Sequence, residues 1–325
     1  MTSLKRLAKT MVGAFFALYA LQAPAFSVGY PDRSVRIVVP VAAGGALDIN
    51  ARIIAQWLTE RLHQSFIIEN KPGAGTNLAI EYVVRAPADG YTLLLVPGSV
   101  SVNATLYEKL NFNFLRDITP VAMISKLPLV MEVNLSIPAQ NVTEFVAYAK
   151  ANAGKMNMAT SGNGTPHHIA GALFSLTTGA EMVPVPFGGG APALVSLMGE
   201  HVQVMFSPLP ESIGSIRAGK VRALAVTTAN RVDALPDVPT VAETLPGFEA
   251  SSWQGVGVPT ATPKEIVDLL NREINAGLTD PKVRQAISEL GSIPTVMSPA
   301  EFKQMIIDET KKWGDVIRAA NIKPE

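Results

Sequence analysis

Two adjacent histidines, His167 and His168, follow a glycine-rich turn in the segment TSGNGTPHHIAGALF, residues 160–174. The chain has only four histidines, and histidine is the side chain that most readily acts as a base or binds a metal near neutral pH. Apolar spacing predicts a helix from Pro166 to about Thr178, on which neighbouring side chains diverge by about 100°. Metal-binding pairs on a helix are three or four residues apart, so this pair predicts no metal site.

Catalytic patterns are weak in the rest of the chain. The motifs of nucleophile elbows, zinc proteases and P-loops do not occur, and GAGTNL (73–78) and GNGTPH (162–167) each lack the third glycine of a dinucleotide-binding turn. The absence of cysteine excludes thiol catalysis, disulfides and cysteine metal sites. No cofactor is therefore expected. A base at His167 or His168 stays open as an alternative, although sequence spacing places no nucleophile beside it.

The glycine-rich turns themselves predict a different chemistry. AAGGALD (42–48) and SGNGTPHH (161–168) each lead from a strand into a helix, and Thr165 suits the N-cap position before Pro166. The N-terminus of a helix has unpaired N–H groups and a positive dipole end, and it binds anions. Asp48 is placed as an acid in the first turn of its helix. Two such termini facing each other could hold a carboxylate without an arginine, although most βα turns use glycine only for geometry.

The elements that position these turns alternate between strands and helices. Apolar β-branched segments end in glycine-rich turns and are followed by helical spacing, which predicts an α/β fold with largely parallel sheets. The predicted strands are VRIVVPV (35–41), FIIEN (66–70), YTLLLVP (91–97), MNMAT (156–160), MVPVPF (182–187), HVQVMF (201–206), VRALAVTT (221–228) and a return crossing, SSWQGVGVP (251–259).

Helix signals complete this outline. We predict a helix from Ala191 to Met198 and three C-terminal helices, the first and last of which begin at N-cap residues Thr262 and Ser298, each followed by proline. Because the strand pattern restarts after ITPVAMISKLPLVMEVN (118–134), the chain is expected to form two lobes. Lobe 1 comprises residues 26–125 and 251–325, and lobe 2 comprises residues 126–250.

The N-terminus predicts export. Lys5, Arg6 and Lys9 precede an apolar run of about 11 residues, and Ala23-Pro24-Ala25 has the pattern of a signal-peptidase site. A short membrane anchor is the alternative, but a bilayer span needs about 20 apolar residues. We therefore predict a Sec-type signal peptide, cleaved after Ala25, and a periplasmic protein.

The charge balance argues against a nucleic-acid partner. The full chain has 27 basic and 27 acidic residues, and removal of the signal peptide leaves 24 against 27, a net charge of −3. Nucleic-acid binders carry a basic patch or an excess of positive charge. A transcription-factor effector domain, which can share a two-lobed architecture, is also disfavoured by the export signal.

Several long motifs resemble one family in combination. YPDRSVRIVVPVAAGGALDINARIIAQWL, FIIENKPGAGTNLAIEYVVRAPADGYTLLL, VRALAVTTANRVDALPDVPTVAET and LPGFEASSWQGVGVPTATP are similar to Bug-type solute receptors, the extracytoplasmic subunits of tripartite tricarboxylate transporters. The similarity covers residues 30–322. It implies a two-lobed periplasmic binding protein of the type II-like, hinged "Venus flytrap" kind. It also implies a monomer that binds an organic carboxylate and delivers it to the membrane permease subunits.

The resemblance also implies which residues bind the ligand. The two main loops contribute Ala43, Gly44, Gly45 and Asp48 from one lobe and Ser161, Gly162, Asn163, Gly164, Thr165 and His168 from the other. The pocket is completed by Gly75, Thr76, Asn77, Gly98, Ser99, Phe187, Gly188, Gly189 and Ser207.

Two departures from similar receptors bear on the ligand. Such receptors often have a lysine where this chain has Gly188, and an aspartate where it has Ser207. An ammonium group would need a carboxylate partner in the pocket. The sequence thus predicts a carboxylate without an amine, aromatic acids included. Presentation of the ligand to a sensor kinase, and catalysis with a histidine base, remain alternatives to transport.

Overall fold

The first part of the fold is a set of parallel strands joined by helices, as the alternation predicted. In the computed structural model, which describes residues 29–44 and 46–324, strand β1 lies between β2 and β3 and is parallel to both. The predicted signal peptide with its cleavage site, and Gly45, lie outside the described residues, as does the side chain of Ala46. The elements are β1 (Val35–Val39), α1 (Ala46–Leu62), β2 (Phe66–Asn70), a 3-10 turn (Ala74–Thr76), α2 (Asn77–Val84), β3 (Thr92–Pro97) and α3 (Ser99–Leu106).

One long strand then runs through the middle of the sheet. After the short helix α4 (Phe114–Asp117), β4 extends over 16 residues, Ile118–Val133. Its first part, residues 118–128, is antiparallel to a late strand, β9 (Ser251–Pro259), and residues 129–133 pair with strands of the second part of the fold. The exchange of partners falls between Pro128 and Leu129, close to the predicted lobe boundary, while the division into lobes stays a prediction.

The second part of the fold repeats the parallel arrangement. Strand β5 lies between β6 and β7 and is parallel to both, and α6 begins and ends at the residues predicted from sequence. The elements are α5 (Val142–Ala151), β5 (Asn157–Thr160), α6 (Pro166–Thr178), β6 (Val183–Pro186), α7 (Gly190–Met198), β7 (Val204–Pro208), α8 (Leu209–Arg217) and β8 (Arg222–Val226).

The C-terminal segment returns to the first part of the sheet through β9 and then forms helices. These are α9 (Lys264–Thr279), α10 (Pro281–Glu289) and α11 (Pro299–Ala319), with the two-residue strand β10 (Ile293–Pro294) before α11. Ser298 caps α11 in a capping box with Glu301, as predicted. The prediction for Thr262 was wrong, because the carbonyl of Pro263 accepts the first helical hydrogen bonds and makes Pro263 the N-cap of α9.

The sheet is mixed and is covered by helices, so the predicted α/β class is confirmed. Its order is β2-β1-β3-β9-β4-β7-β5-β6, with β8 and β10 paired to β4. One core centres on Phe174 of α6, whose ring lies 5.4–6.1 Å from the rings of Phe145, Phe206 and Phe248. Helix α11 contacts both α3 and α6. Residues 33–325 belong to this single unit.

No helix within the described residues is long and apolar enough to cross a membrane.

Candidate functional site

A cavity of about 330 Å³ lies where the glycine-rich turns of both parts of the fold meet. Its volume is at the lower end of the roughly 300–1,000 Å³ typical of small-molecule sites. The structure brings eight of the predicted site residues to its wall: Gly75, Thr76, Gly98, Ser99, Ser161, Asn163, Gly164 and Thr165. Their contact with a ligand stays a prediction.

Three helix N-termini converge on this cavity. Helices α2, α3 and α6 begin beside Thr76, Gly98 and Thr165, each of which lines the cavity. The hydroxyls of Thr76 and Ser99 are 2.8 Å apart and connect two of these termini. Among the described residues that line the cavity there is no lysine or arginine. The groups on the wall that suit an anion are therefore the backbone N–H groups and dipoles of these helix N-termini.

The turn before α2 is held in an unfavourable backbone conformation. Ala74, Gly75 and Thr76 all have positive φ, at 48°, 60° and 80°. Two of them are not glycine, and such residues cost energy in this region and concentrate at functional sites. A Cβ on Gly75 would also lie 2.5 Å from the hydroxyl of Tyr107, so a larger residue there would require the Tyr107 side chain to shift.

The side chain of Asn103 in α3 holds this turn by hydrogen bonds. Its buried amide donates to the carbonyl of Gly75 at 2.7 Å and to the side-chain oxygen of Asn77 at 2.9 Å. Predicted ligand residue Asn77 is therefore buried beneath the turn and does not line the cavity.

We expect Asn103→Ala to destabilise the protein by about 1–3 kcal/mol, because it leaves the buried side-chain oxygen of Asn77 without its donor and removes the hydrogen bond to the carbonyl of Gly75. Urea denaturation of the variant measures the loss. Asn230→Ala, at an exposed position, serves as the control and is expected to stay within about 0.5 kcal/mol of the unsubstituted protein. Equal stability of the two variants would show that Asn103 does not hold the turn.

The turn before α6 is held by its own side chains. Thr165 is the N-cap, as predicted, but its hydroxyl donates back to the carbonyl of Gly162 at 2.7 Å and does not cap an N–H group of the helix. The ring of His168 is buried, and its Nδ1 accepts from the N–H of Gly164 at 3.4 Å. His168 and Gly162 thus support the turn from outside the lining of the cavity.

His167, not His168, is the histidine that lines the cavity. Its ring is almost fully buried, with Nδ1 lying 2.8 Å from the hydroxyl of Ser161. Its Nε2 lies 3.1 Å from Oε2 of Glu211, and since a carboxylate only accepts, Nε2 is the donor of this hydrogen bond. The wall thus has a hydrogen-bonded chain of three side chains, Ser161, His167 and Glu211.

The predicted residues of the first loop are arranged around Asp48. Burial alone would raise the pKa of Asp48, but hydrogen bonds from Arg52, Asn70 and the N–H of Gly44 outweigh it and hold the pKa below its ordinary value. Ala43, Gly44 and Asp48 do not line the cavity, whereas neighbouring Val41 and Leu47 do. Asp48 orders the loop and stabilises the start of α1, as the sequence indicated.

The remaining predicted residues lie behind the cavity wall. Phe187 bonds through its N–H to the carbonyl of Thr160, and Gly188 and Gly189 follow it towards α7. Ser207 is fully buried and donates to Oε1 of Glu132 at 2.6 Å. Burial raises the pKa of Glu132 to about 8, against the opposing hydrogen bonds from Ser207 and Ser212.

A larger groove of about 1,050 Å³ runs along β2 and α2 but lacks these features. Its charged side chains already pair with one another, as Glu69 contacts Arg36 at 3.1 Å and Lys71 at 2.7 Å. Among the described residues, no glycine-rich turn lines this groove. The smaller cavity is therefore the candidate site.

Sequence reasoning missed several residues of the wall. Glu211 and Tyr107 carried no motif signal, and Asn103 lies inside a helix that begins with a typical strand-end turn. A scan for polar residues one helical turn behind each glycine-rich loop would have found Asn103. The lining residues outside the predicted binding set are Val41, Leu47, Pro97, Asn103, Leu106, Tyr107, Leu127, Pro166, Pro208, Glu211 and Ser252, together with His167, which the sequence offered as an alternative base.

The chain resembles known proteins along most of its length. The family described as "Tripartite tricarboxylate transporter family receptor" matches residues 50–322. The chain is similar to the protein BugT of Bordetella pertussis, with 34% identity over 96% of this chain and 97% of that protein.

Solved structures extend the comparison. The protein Rpa4515 of R. palustris, in a structure with adipate, shares 36% identity and a TM-score of 0.82, covering 91% of this chain and 100% of that chain. MatC from Rhodopseudomonas palustris, with bound malate, shares 32% identity and a TM-score of 0.77, covering 89% of this chain and 100% of that chain.

Proposed function

The chain belongs to the tripartite tricarboxylate transporter family of receptors, and from this premise we propose that it is a periplasmic solute-binding protein for a small organic carboxylate. The observation that carries the proposal is the convergence of the α2, α3 and α6 N-termini on a cavity whose described wall has no basic side chain other than His167. The related structures with adipate and malate support a carboxylate as the ligand.

The energetics of the site suit reversible capture. Each helix N-terminus contributes about 0.3–1 kcal/mol to anion binding when exposed and up to about 2 kcal/mol when partly buried. The hydroxyls of Thr76 and Ser99 lie beside these termini and add hydrogen-bond donors. Together they supply enough binding energy to hold one carboxylate without a buried charged partner.

The ligand would bridge the two proposed lobes. Thr76 and Ser99 belong to lobe 1, and Asn163 and Thr165 to lobe 2, and all four line the one cavity. A ligand that contacts both sides favours the closed conformation, and closure is the state that a permease recognises. Export through the predicted signal peptide and delivery to two membrane permease subunits complete the proposal.

The proposal is tested by thermal denaturation in the presence of mono-, di- and aromatic carboxylates. A ligand present at 100 times its dissociation constant is expected to stabilise the protein by about 2.7 kcal/mol. Sodium chloride at matched ionic strength is the control for general salt effects. If no carboxylate stabilised the protein and calorimetry detected no heat of binding, the proposed function would be contradicted.

One observation favours a second candidate, hydrolysis of a carboxylic ester. Ser161, His167 and Glu211 have the order of a nucleophile, a base and an orienting acid, with contacts of 2.8 and 3.1 Å. The same contacts are explained by packing, because the ring of His167 is only 2% exposed and both of its nitrogens are satisfied. Receptor function is therefore the better account.

We expect the purified protein to return every bound carboxylate chemically unchanged and to show no turnover of p-nitrophenyl esters above the buffer rate. Ester release would be followed by absorbance, with Ser161→Ala as the comparison. Turnover that disappears in Ser161→Ala and in His167→Gln would overturn the receptor assignment in favour of an enzyme.

A further inference from the structure

The side-chain carboxylate of Glu211 lies in the wall of the cavity. Glu211 lies in the first turn of α8, and its side chain is 39% exposed and lines the cavity. Its Oε2 accepts from Nε2 of His167 at 3.1 Å. The carboxylate therefore has a defined position, held by a buried side chain of α6.

The same carboxylate also covers the N-terminus of α7. A Cβ built on Gly190 would lie 1.8 Å from Oε2 and 2.7 Å from Cδ of Glu211, so the carboxylate fills the space above the first residue of that helix. A helix N-terminus favours a negative charge, and here the protein supplies it. The first residue of α7 is thus covered by an internal anion.

The rest of the wall offers no place for a second ligand anion. Apart from the residues at the N-termini of α2, α3 and α6, the described lining residues are mainly apolar and include no lysine or arginine. A second carboxylate of a ligand would approach Glu211 without a compensating cation. Like charges in a partly desolvated cleft repel each other strongly.

We propose that the cavity takes an organic acid with a single carboxylate and no second anionic group, and that Glu211 is the residue that rejects a second carboxylate. This inference rests on the proposed function and narrows its ligand class. The carboxylate binds at the three helix N-termini, and the remainder lies against Val41, Leu47 and Leu127.

Three acids with the same six-carbon chain test the proposal by calorimetry. Hexanoate ends in a methyl group, adipate in a second carboxylate and 6-aminohexanoate in an ammonium group. We expect hexanoate to bind the unsubstituted protein at least about tenfold more tightly than adipate, whereas 6-aminohexanoate, which has no second carboxylate, is not repelled by Glu211. This ratio needs no variant, so it tests the proposal even if a substitution at the site disturbs folding.

Glu211→Gln removes the charge and keeps the shape of the side chain. The ratio of adipate affinity to hexanoate affinity is expected to rise by at least about tenfold. Glu181→Gln, which removes the same charge from an exposed position, is the control and should leave the ratio unchanged.

Each contrary outcome has a distinct meaning. Adipate binding as tightly as hexanoate, 6-aminohexanoate binding as weakly as adipate, or an unchanged ratio in Glu211→Gln, overturns this inference and leaves the receptor function standing. Failure of all three acids and of the wider carboxylate panel to bind any form overturns the proposed function and this inference together.

Discussion

Replacing Glu132 with glutamine is expected to abolish a loss of stability that the unsubstituted protein undergoes as the pH rises from about 4.5 to about 8. The carboxyl of Glu132 is fully buried in β4, and burial raises its pKa to about 8. Its Oε1 accepts from Ser207, while Oε2 has no hydrogen-bond partner among the described residues. The native protein therefore keeps this carboxyl protonated at neutral pH.

The direction of this pH effect on stability follows from the pKa values of Glu132 in the folded and unfolded states. In the unfolded chain the carboxyl has its ordinary pKa of 4.5, whereas in the folded protein the pKa is about 8. The folded state binds the proton more tightly, so the stabilising contribution is complete below pH 4.5 and is lost as the pH rises to 8. One pKa unit corresponds to about 1.4 kcal/mol, so the total is on the order of a few kcal/mol.

Glutamine reproduces the protonated carboxyl without titrating. Its side-chain oxygen can still accept from Ser207, and its amide replaces the unpartnered oxygen. At pH 4.5 the variant is expected to match the unsubstituted protein within about 1–2 kcal/mol. At pH 8.5 it is expected to be more stable than the unsubstituted protein by a few kcal/mol.

Urea denaturation at pH 4.5, 6, 7 and 8.5 measures this difference. Glu181→Gln, which removes a carboxylate from an exposed position, controls for the change in net charge. If the free energies of unfolding of Glu132→Gln and the unsubstituted protein kept a constant difference across the series, Glu132 would not be the buried acid that the structure describes.

Local patterns predicted the parts of the site that the chain builds from neighbouring residues. The SGNGTP turn and the helix that follows it lie within one short segment, and α6 begins at Pro166 and ends at Thr178 as the spacing indicated. The same holds for the turn after β3, where Gly98 and Ser99 reach the cavity. A strand, a glycine turn and a helix cap are local features, so sequence alone specifies them.

Contacts between distant segments were not predictable in this way. Glu132 is 75 residues from Ser207 and reaches it only because β4 and β7 pair antiparallel, with Val130 opposite Ser207. Glu211 meets His167 across 44 residues, and neither residue lies in a recognisable motif with the other. The sequence therefore suggested that a carboxylate was missing at Ser207, whereas the fold supplies one from the adjacent strand.

The long strand β4 is another difference between the elements predicted from sequence and those in the structure. Its sequence, ITPVAMISKLPLVMEV, is buried along almost its whole length, so it shows no alternation of apolar and polar residues. It also includes two prolines, which interrupt a strand signal. Both features hid a 16-residue element that pairs with both parts of the sheet.

Replacing Gly164 with alanine is expected to reduce affinity for the carboxylate ligand by at least about tenfold and to destabilise the protein by about 2–4 kcal/mol. Gly164 lines the cavity with φ at 73°, a conformation that disfavours a side chain. Its added Cβ would lie 2.3 Å from Cδ2 of Leu106, which is buried in α3. The turn of residues 161–165 would have to move away from α3, where the ligand is proposed to bind.

Gly154→Ala is the matched control for backbone strain. Gly154 has nearly the same φ, 75°, but no atom lies within 4 Å of the position of its Cβ. It is expected to cost only the strain of about 1–2 kcal/mol and to leave affinity unchanged. The difference between the two variants isolates the contact with Leu106, because the substitution and the backbone conformation are the same.

A double-mutant cycle with Leu106→Ala then tests the cause. Truncating Leu106 removes the atom that the new Cβ of Gly164→Ala would meet, at a cost of about 2–5 kcal/mol for the buried side chain. If the clash displaces the turn, the double variant loses less free energy of unfolding than the two single variants lose in sum, by roughly 0.5–3 kcal/mol. It also regains part of the lost affinity. Additive free energies, together with unchanged ligand binding in Gly164→Ala, would mean that the close contact between this turn and α3 does not shape the binding site.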